Sequence, residues 1–118
     1  KMAGDPILPV WGSGNPRREF LYVDDAAEAC VHLLKTYSGD GHVNIGFGDD
    51  LTIRQLAETV AEVIGFKGAL TFDPTKPDGT PRKLLDVSRI NALGWKATTG
   101  LKEGIARTYD WYRQNVAQ

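Results

Sequence analysis

One cysteine, one methionine and two histidines are all that this chain offers to redox, disulfide or soft-metal chemistry. A lone Cys30 excludes an internal disulfide and a cysteine-built metal site, and it fits a reducing compartment, so a cytoplasmic location is expected. His32 and His42 have no cysteine or histidine partner at metal-ligand spacing, and no metal site is expected. Charge of one sign is also lacking. Lys and Arg number 14 against 15 Asp and Glu, a net charge of −1, which gives no global field to recruit nucleic acid or an anionic membrane. No apolar run approaches the length of a membrane span, no signal peptide opens the chain, and neither internal repeats nor a low-complexity linker are visible. What remains is 118 residues, 42% hydrophobic and 25% charged, the balance of one small globular domain with a modest core. The opening Lys1-Met2-Ala3-Gly4, with Met second, points to a part of something larger.

The periodicity alternates short extended pieces with helices. Residues 6–23 read as extended and loop-like: Ile7 to Trp11 is a short apolar stretch, Gly12 to Pro16 a turn cluster, and Glu19 to Val23 alternates like a strand. A helix follows, capped by Asp24 or by an Asp25-x-x-Glu28 box, with Ala26, Ala29, Cys30, Leu33 and Leu34 at helical spacing. On that face Cys30 reads as a buried structural thiol. His42 to Gly46 reads as a short strand. The Thr52-x-x-Gln55 capping box predicts a second helix, with Ile53, Leu56, Ala57, Val60, Val63 and Ile64 on one face and Gly65 as its stop. Asp49-Asp50, just before it, reads as further capping. Ala69 to Phe72 is a strand and 73–82 a proline-rich loop. Asp86 caps a short helix through Leu93, closed by Gly94, and a final helix runs from Leu101 to Asn115. Trp95, Tyr109, Trp111 and Tyr112 read as core aromatics. Two or three strands are too few for a doubly wound sheet, so the pattern is the end of an α/β protein.

Two stretches are candidates for chemistry. Segment 10–20, VWGSGNPRREF, opens with glycines spaced as in a dinucleotide-binding loop. A G-x-G-x-x-G fingerprint needs a third glycine and a following helix; here Arg17 occupies that position and a strand-like run follows, so the fingerprint fails. The local sequence leaves two readings: a surface turn with solvated arginines, or a contact in which Trp11 offers a flat face and an arginine pairs with phosphate. Segment 76–83, KPDGTPRK, is a stiff loop ending in two cations. It reads either as a polar connection turned at Asp78-Gly79, or as a preorganised site where Asp78 accepts from hydroxyls and Arg82 or Lys83 neutralises phosphate.

The order of these motifs resembles the C-terminal part of the GDP-L-fucose synthase family, which are extended short-chain dehydrogenase/reductases. The resemblance is carried by VWGSGNPRREFLYVDD, HVNIGFGDDLTIRQLAETVAEVIGFKG, FDPTKPDGTPRKLLDVSRINALGW and the closing helix with Tyr109-Asp110-Trp111, and it covers residues 8–113. It implies that residues 1–118 are a single C-terminal substrate-binding domain of Rossmann-type α/β class, with few short strands and about four helices. It implies an intact enzyme that epimerises and reduces GDP-4-keto-6-deoxy-D-mannose with NADPH. The family's cofactor loop, Ser-Tyr-Lys group and Cys and His acid/base pair belong to a preceding dinucleotide-binding region. No catalytic residue and no bound NADP(H) are therefore expected in this chain, and Cys30 does not match the family's catalytic cysteine. Family positions that contact the GDP-sugar fall on Trp11, Arg18, Asp78, Lys83 and Arg82. A homodimer is implied for the intact enzyme. The helix near Asp24 and the strand near Val43 would pack toward the absent region, so the chain is expected either to self-associate through these elements or to leave them poorly ordered. The rival readings are another nucleotide-sugar epimerase or dehydratase, a stand-alone nucleotide-sugar binding module, and a dimerisation element.

Overall fold

The computed structural model describes residues 4–117. In chain order the elements are β1 (Ile7–Trp11), β2 (Arg17–Arg18), α1 (Val23–Thr36), β3 (Leu51–Thr52), α2 (Ile53–Ile64), β4 (Ala69–Asp73), β5 (Arg82–Lys83), α3 (Ser88–Ala92) and α4 (Leu101–Asn115). β1 and β4 form a parallel pair in the register Ile7 to Ala69 through Trp11 to Asp73. Leu8 and Val10, with Leu70 and Phe72 opposite, are half-buried, while Ile7, Pro9, Ala69 and Thr71 are exposed, the alternation that a one-sided sheet requires. In a two-stranded sheet each strand is an edge, so Pro9, which lacks an N–H, is tolerated. The second sheet has the order β3-β2-β5, with β2 antiparallel to β3 and parallel to β5.

α2 forms as its capping box predicts. The Thr52 side chain accepts from the Gln55 N–H and the Gln55 side chain accepts from the Thr52 N–H. Gly65 ends it in the left-handed region at φ 69°, where a side chain would be strained. α4 has the predicted bounds and packs against α2. Asp86 Oδ1 accepts from Ser88 N–H at 2.9 Å just ahead of α3, but the N-cap is Val87, with no side-chain cap, and not the expected Asp86.

α1 begins differently from the expected capping. Its N-cap is Tyr22, with no side-chain hydrogen bond. Asp25 is instead buried and accepts from the backbone N–H of Thr98 and Thr99, at 3.2 and 2.9 Å, and from both hydroxyls. It fastens the first turn of α1 to the segment leading into α4. Segment 19–22 is irregular; the strand lies just upstream at Arg17–Arg18, where the chain meets β3 and β5. Segment 42–46 is not a strand either; Asn44 Nδ2 donates to the Asp86 carbonyl and the His42 carbonyl accepts from Arg89 Nη1. Val43 and Ile45 pack instead against the cluster of Ala29, Ile90 and Trp95 that forms the core.

That core is small. The radius of gyration is 17.0 Å and the extents are 51 × 34 × 18 Å; a compact chain of this length would have a radius of about 13.5 Å. α1 buries one narrow stripe, Ala29 with Leu33 beside it, and leaves Val23, Cys30, Val31 and Leu34 exposed, Leu34 by 86%. Cys30 is thus not the buried thiol of the sequence reading, because it falls outside the stripe that meets the core. Of the four aromatics expected inside, Trp95 is buried. Tyr109 is half-buried, and Trp111 and Tyr112 are exposed, because α4 has a neighbour along one side, α2. No helix is long and apolar enough to cross a membrane.

Candidate functional site

The two-glycine turn follows directly from β1. Gly12 N–H donates to the Asp73 carbonyl at 2.9 Å, closing the end of the β1–β4 pair. A Cβ on Gly12 would collide with Asp78 Oδ1, and one on Gly14 would lie 2.7 Å from the Phe72 ring. The glycines therefore make room for the protein's own side chains, and β2 rather than a helix follows. A pyrophosphate cradle needs bare backbone N–H groups at a helix N-terminus, and this turn supplies neither. The residues present do not fit a dinucleotide here.

Ser13 links this turn to the proline-rich loop 65 residues on: its N–H donates to Asp78 Oδ1 at 2.6 Å and its hydroxyl to Oδ2 at 2.8 Å. These bonds, the backbone one first, hold the Asp78 carboxyl below its ordinary range. An ionised carboxylate has about four acceptor sites, and Ser13 engages one on each oxygen. Next to Asp78, the position of a Cβ on Gly79 lies 3.8 Å from Arg18 Nη2, so the Asp78-Gly79 turn abuts the Arg18 guanidinium. Arg18 Nη1 is steadied by the Arg17 carbonyl at 2.7 Å. Trp11, at the start of the same turn, is 70% exposed, with Lys76 Nζ 5.1 Å from its ring centroid.

β2 and β5 place four cations in two parallel-register pairs, Arg17 beside Arg82 and Arg18 beside Lys83. Successive residues of a strand face opposite sides, so each pair shares a face and the two pairs face apart. Arg17 and Arg82 converge on Asp50: Arg17 Nε donates to Oδ1 at 2.8 Å and Arg82 Nε to Oδ2 at 2.5 Å. The Arg82 hydrogen bond, ahead of the Arg17 contacts, holds the Asp50 carboxyl below its ordinary range although burial opposes it. Asp50 is therefore not a helix cap, since Thr52 already fills that place and two arginines reach Asp50 first.

Of the five expected contacts, Arg18 and Lys83 stand side by side, Asp78 adjoins Arg18 through Gly79, and Trp11 is joined to Asp78 through Ser13. Arg82 turns to the other face and spends its Nε on Asp50. Arg17, Ser13, Glu19 and Asp50 were not read as part of the site. The one available signal was that the Thr52–Gln55 box already caps α2, which left Asp50 without a reason to be a cap. Among the described residues no cluster of His, Cys, Asp and Glu is arranged to hold a metal ion.

Residues 2–46 match the NAD dependent epimerase/dehydratase family. GDP-L-fucose synthase 1 of Arabidopsis thaliana is 58% identical over 116 residues, covering 98% of this chain and 36% of that protein. GDP-L-fucose synthase of Escherichia coli (strain K12) is 50% identical over 119 residues, covering 93% and 37%. The crystal structure of a GDP-L-fucose synthetase from Naegleria fowleri superposes with a TM-score of 0.87 at 28% identity, covering 95% of this chain and 35% of that one; a structure of such a synthetase from the same organism bound to NADP gives 0.82 at 29% identity, covering 95% and 36%. The chain spans about a third of the length of the curated relatives it matches. Residues 2–46 are thus similar to the NAD dependent epimerase/dehydratase family, and nearly the whole chain is similar to the C-terminal part of GDP-L-fucose synthases.

Proposed function

We propose that this chain is a substrate-binding domain, 1–118, of a GDP-L-fucose synthase, an enzyme that epimerises and reduces GDP-4-keto-6-deoxy-D-mannose. The observation that carries the reading is the pairing of Arg18 with Lys83 on one face of β2–β5. Two cations at adjacent register positions suit the two phosphates of a nucleotide diphosphate, with Arg offering a fork and Lys a point charge. Trp11 supplies an exposed flat face for the nucleotide or sugar. Asp78 accepts from hydroxyls at the edge, and Arg82 adds positive potential from behind. The hydride donor NADPH belongs to the remainder of the enzyme, since the Gly12–Gly14 turn does not fit it. The reading includes a homodimeric, cytoplasmic enzyme.

Thermal shift of the chain with GDP, UDP and dTDP tests this. A ligand that binds the native state raises its stability in proportion to the logarithm of concentration over Kd. GDP is expected to give the largest rise. Arg18→Ala and Lys83→Ala are each expected to weaken GDP by about 1.5–3 kcal/mol, the range for hydrogen bonds to charged groups. Arg18→Lys should not restore parent affinity, because the fork is lost. Parent-like binding by either alanine variant removes that residue from the site. A larger shift with UDP or dTDP moves the chain to another nucleotide-sugar enzyme.

A further inference from the structure

The Asp50 side chain is 1% exposed, yet it lies between two arginines that are themselves 42% and 58% exposed. Each of its oxygens takes the Nε of a different strand, and Arg17 Nη2 also reaches the Asp50 carbonyl at 3.2 Å. Like charges directly opposite each other across a strand pair repel. The carboxylate between Arg17 and Arg82 converts that repulsion into a cross-link and sets their spacing. One residue further along the same strands stand Arg18 and Lys83, on the opposite face. Glu19, just past the end of β2, adds a second tie. Its Oε2 accepts from Gly48 N–H at 2.6 Å and its Oε1 from Leu85 N–H at 3.2 Å, just beyond β5. The Arg18–Lys83 pair is thus bracketed along the chain by two carboxylate ties, Asp50 on one side and Glu19 on the other.

We propose that Asp50, assisted by Glu19, is a positioning residue for diphosphate recognition: it fixes the separation of Arg18 and Lys83 without touching the ligand. The inference rests on the reading of those two cations as the diphosphate contacts. Arg18 and Lys83 sit on strands of two residues each, and left alone they would move apart. Drawing them together at binding would cost affinity, and a site already assembled avoids that cost.

The experiment uses the 118-residue chain, nitrogen-15 labelled, titrated with GDP and with inorganic pyrophosphate. Asp50→Asn keeps the side-chain volume and removes the charge. It is expected to displace the Arg18 and Lys83 amide resonances before any ligand is added, to leave those of α2 and α4 in place, and to weaken both ligands about tenfold through lost preorganisation. Glu19→Gln should act in the same direction. Glu62→Gln, which breaks a surface pair with Lys102, should change neither. In an Arg18→Ala background, Asp50→Asn should cost much less further affinity, because the contact it positions is gone. If Asp50→Asn does not fold, Arg17→Gln removes one arm of the cross-link and the same displacement is expected. Resonances and pyrophosphate affinity at parent level overturn the proposal, as does an equal loss in both backgrounds. If the parent binds neither GDP nor pyrophosphate, the reading of Arg18 and Lys83 falls, and the ligand-free resonances still report whether Asp50 spaces the two strands.

Discussion

Replacing Asp25 with alanine removes a carboxylate that accepts four hydrogen bonds from Thr98 and Thr99. The Thr99 N–H is left in a buried place without its acceptor, and the first turn of α1 loses its tie to the start of α4. Urea unfolding of Asp25→Ala is expected to show a loss of about 2–3 kcal/mol with little change in slope, from bonds to a charged group and the desolvated donor left behind. Three carboxylates couple stability to acid. Asp50, Asp78 and Asp86 each have a folded-state pKa below the unfolded one, through Arg82 and Arg17, through Ser13, and through Ser88 respectively. A depressed carboxyl contributes stability that is fully present above the unfolded value and lost as pH falls through the folded value. Melting temperatures should therefore hold near neutrality and decline below about pH 4. Asp50→Asn should be less stable than the parent at pH 7 and decline less between pH 4 and 2; parallel curves would mean that Asp50 is not perturbed. These acids were the least legible residues in the sequence. Asp25 and Asp50 each stand at the start of a helix, where capping is the ordinary explanation, and their partners lie 73–74 and 32–33 residues away.

Local signals were sufficient where local physics decides the element. α2 has a reciprocal cap at one end and a left-handed glycine at the other, so its ends are specified by residues within three positions of them. Thr52→Ala is expected to cost about 1 kcal/mol, and Gly65→Ala a similar amount of about 1 kcal/mol for forcing a Cβ into the left-handed region. Far-ultraviolet circular dichroism during thermal unfolding measures both, and a neutral Thr52→Ala would show that the capping box does not stabilise this helix. β4 and α4 were legible for the same reason. β2, β3 and β5 were not, because a two-residue strand has no period of its own and exists through its neighbours. Arg17 and Arg18 are strand residues because Thr52, Leu51, Arg82 and Lys83 lie beside them. The candidate site followed the same division. Arg18, Asp78 and Lys83 were reachable through the resemblance, while the Ser13–Asp78 clasp and the Asp50 cross-link needed the fold.

The whole molecule is thin and open, and its surface chemistry follows from that shape. Val23, Val31 and Leu34 on α1 are exposed, as is Trp111 on α4. Apolar faces of this kind favour association. Sedimentation of the 118-residue chain is expected to show self-association that rises with concentration, and Val31→Lys with Leu34→Lys should return it to monomer. A monomer at high concentration in the parent would show that the exposed α1 stripe does not pair in solution. The two sheets also set a kinetic order. The β1–β4 and β2–β5 pairings each join residues more than 60 positions apart, Ile7 with Ala69 and Arg17 with Arg82. Their spans are offset by little more than a turn of chain at each end. Whichever pairing closes first leaves the other a loop of roughly 20 residues instead of more than 60, a saving of about 1 kcal/mol in closure entropy. Folding should therefore be slow for so short a chain, limited by one long-range encounter, with the second pairing closing almost at once behind it.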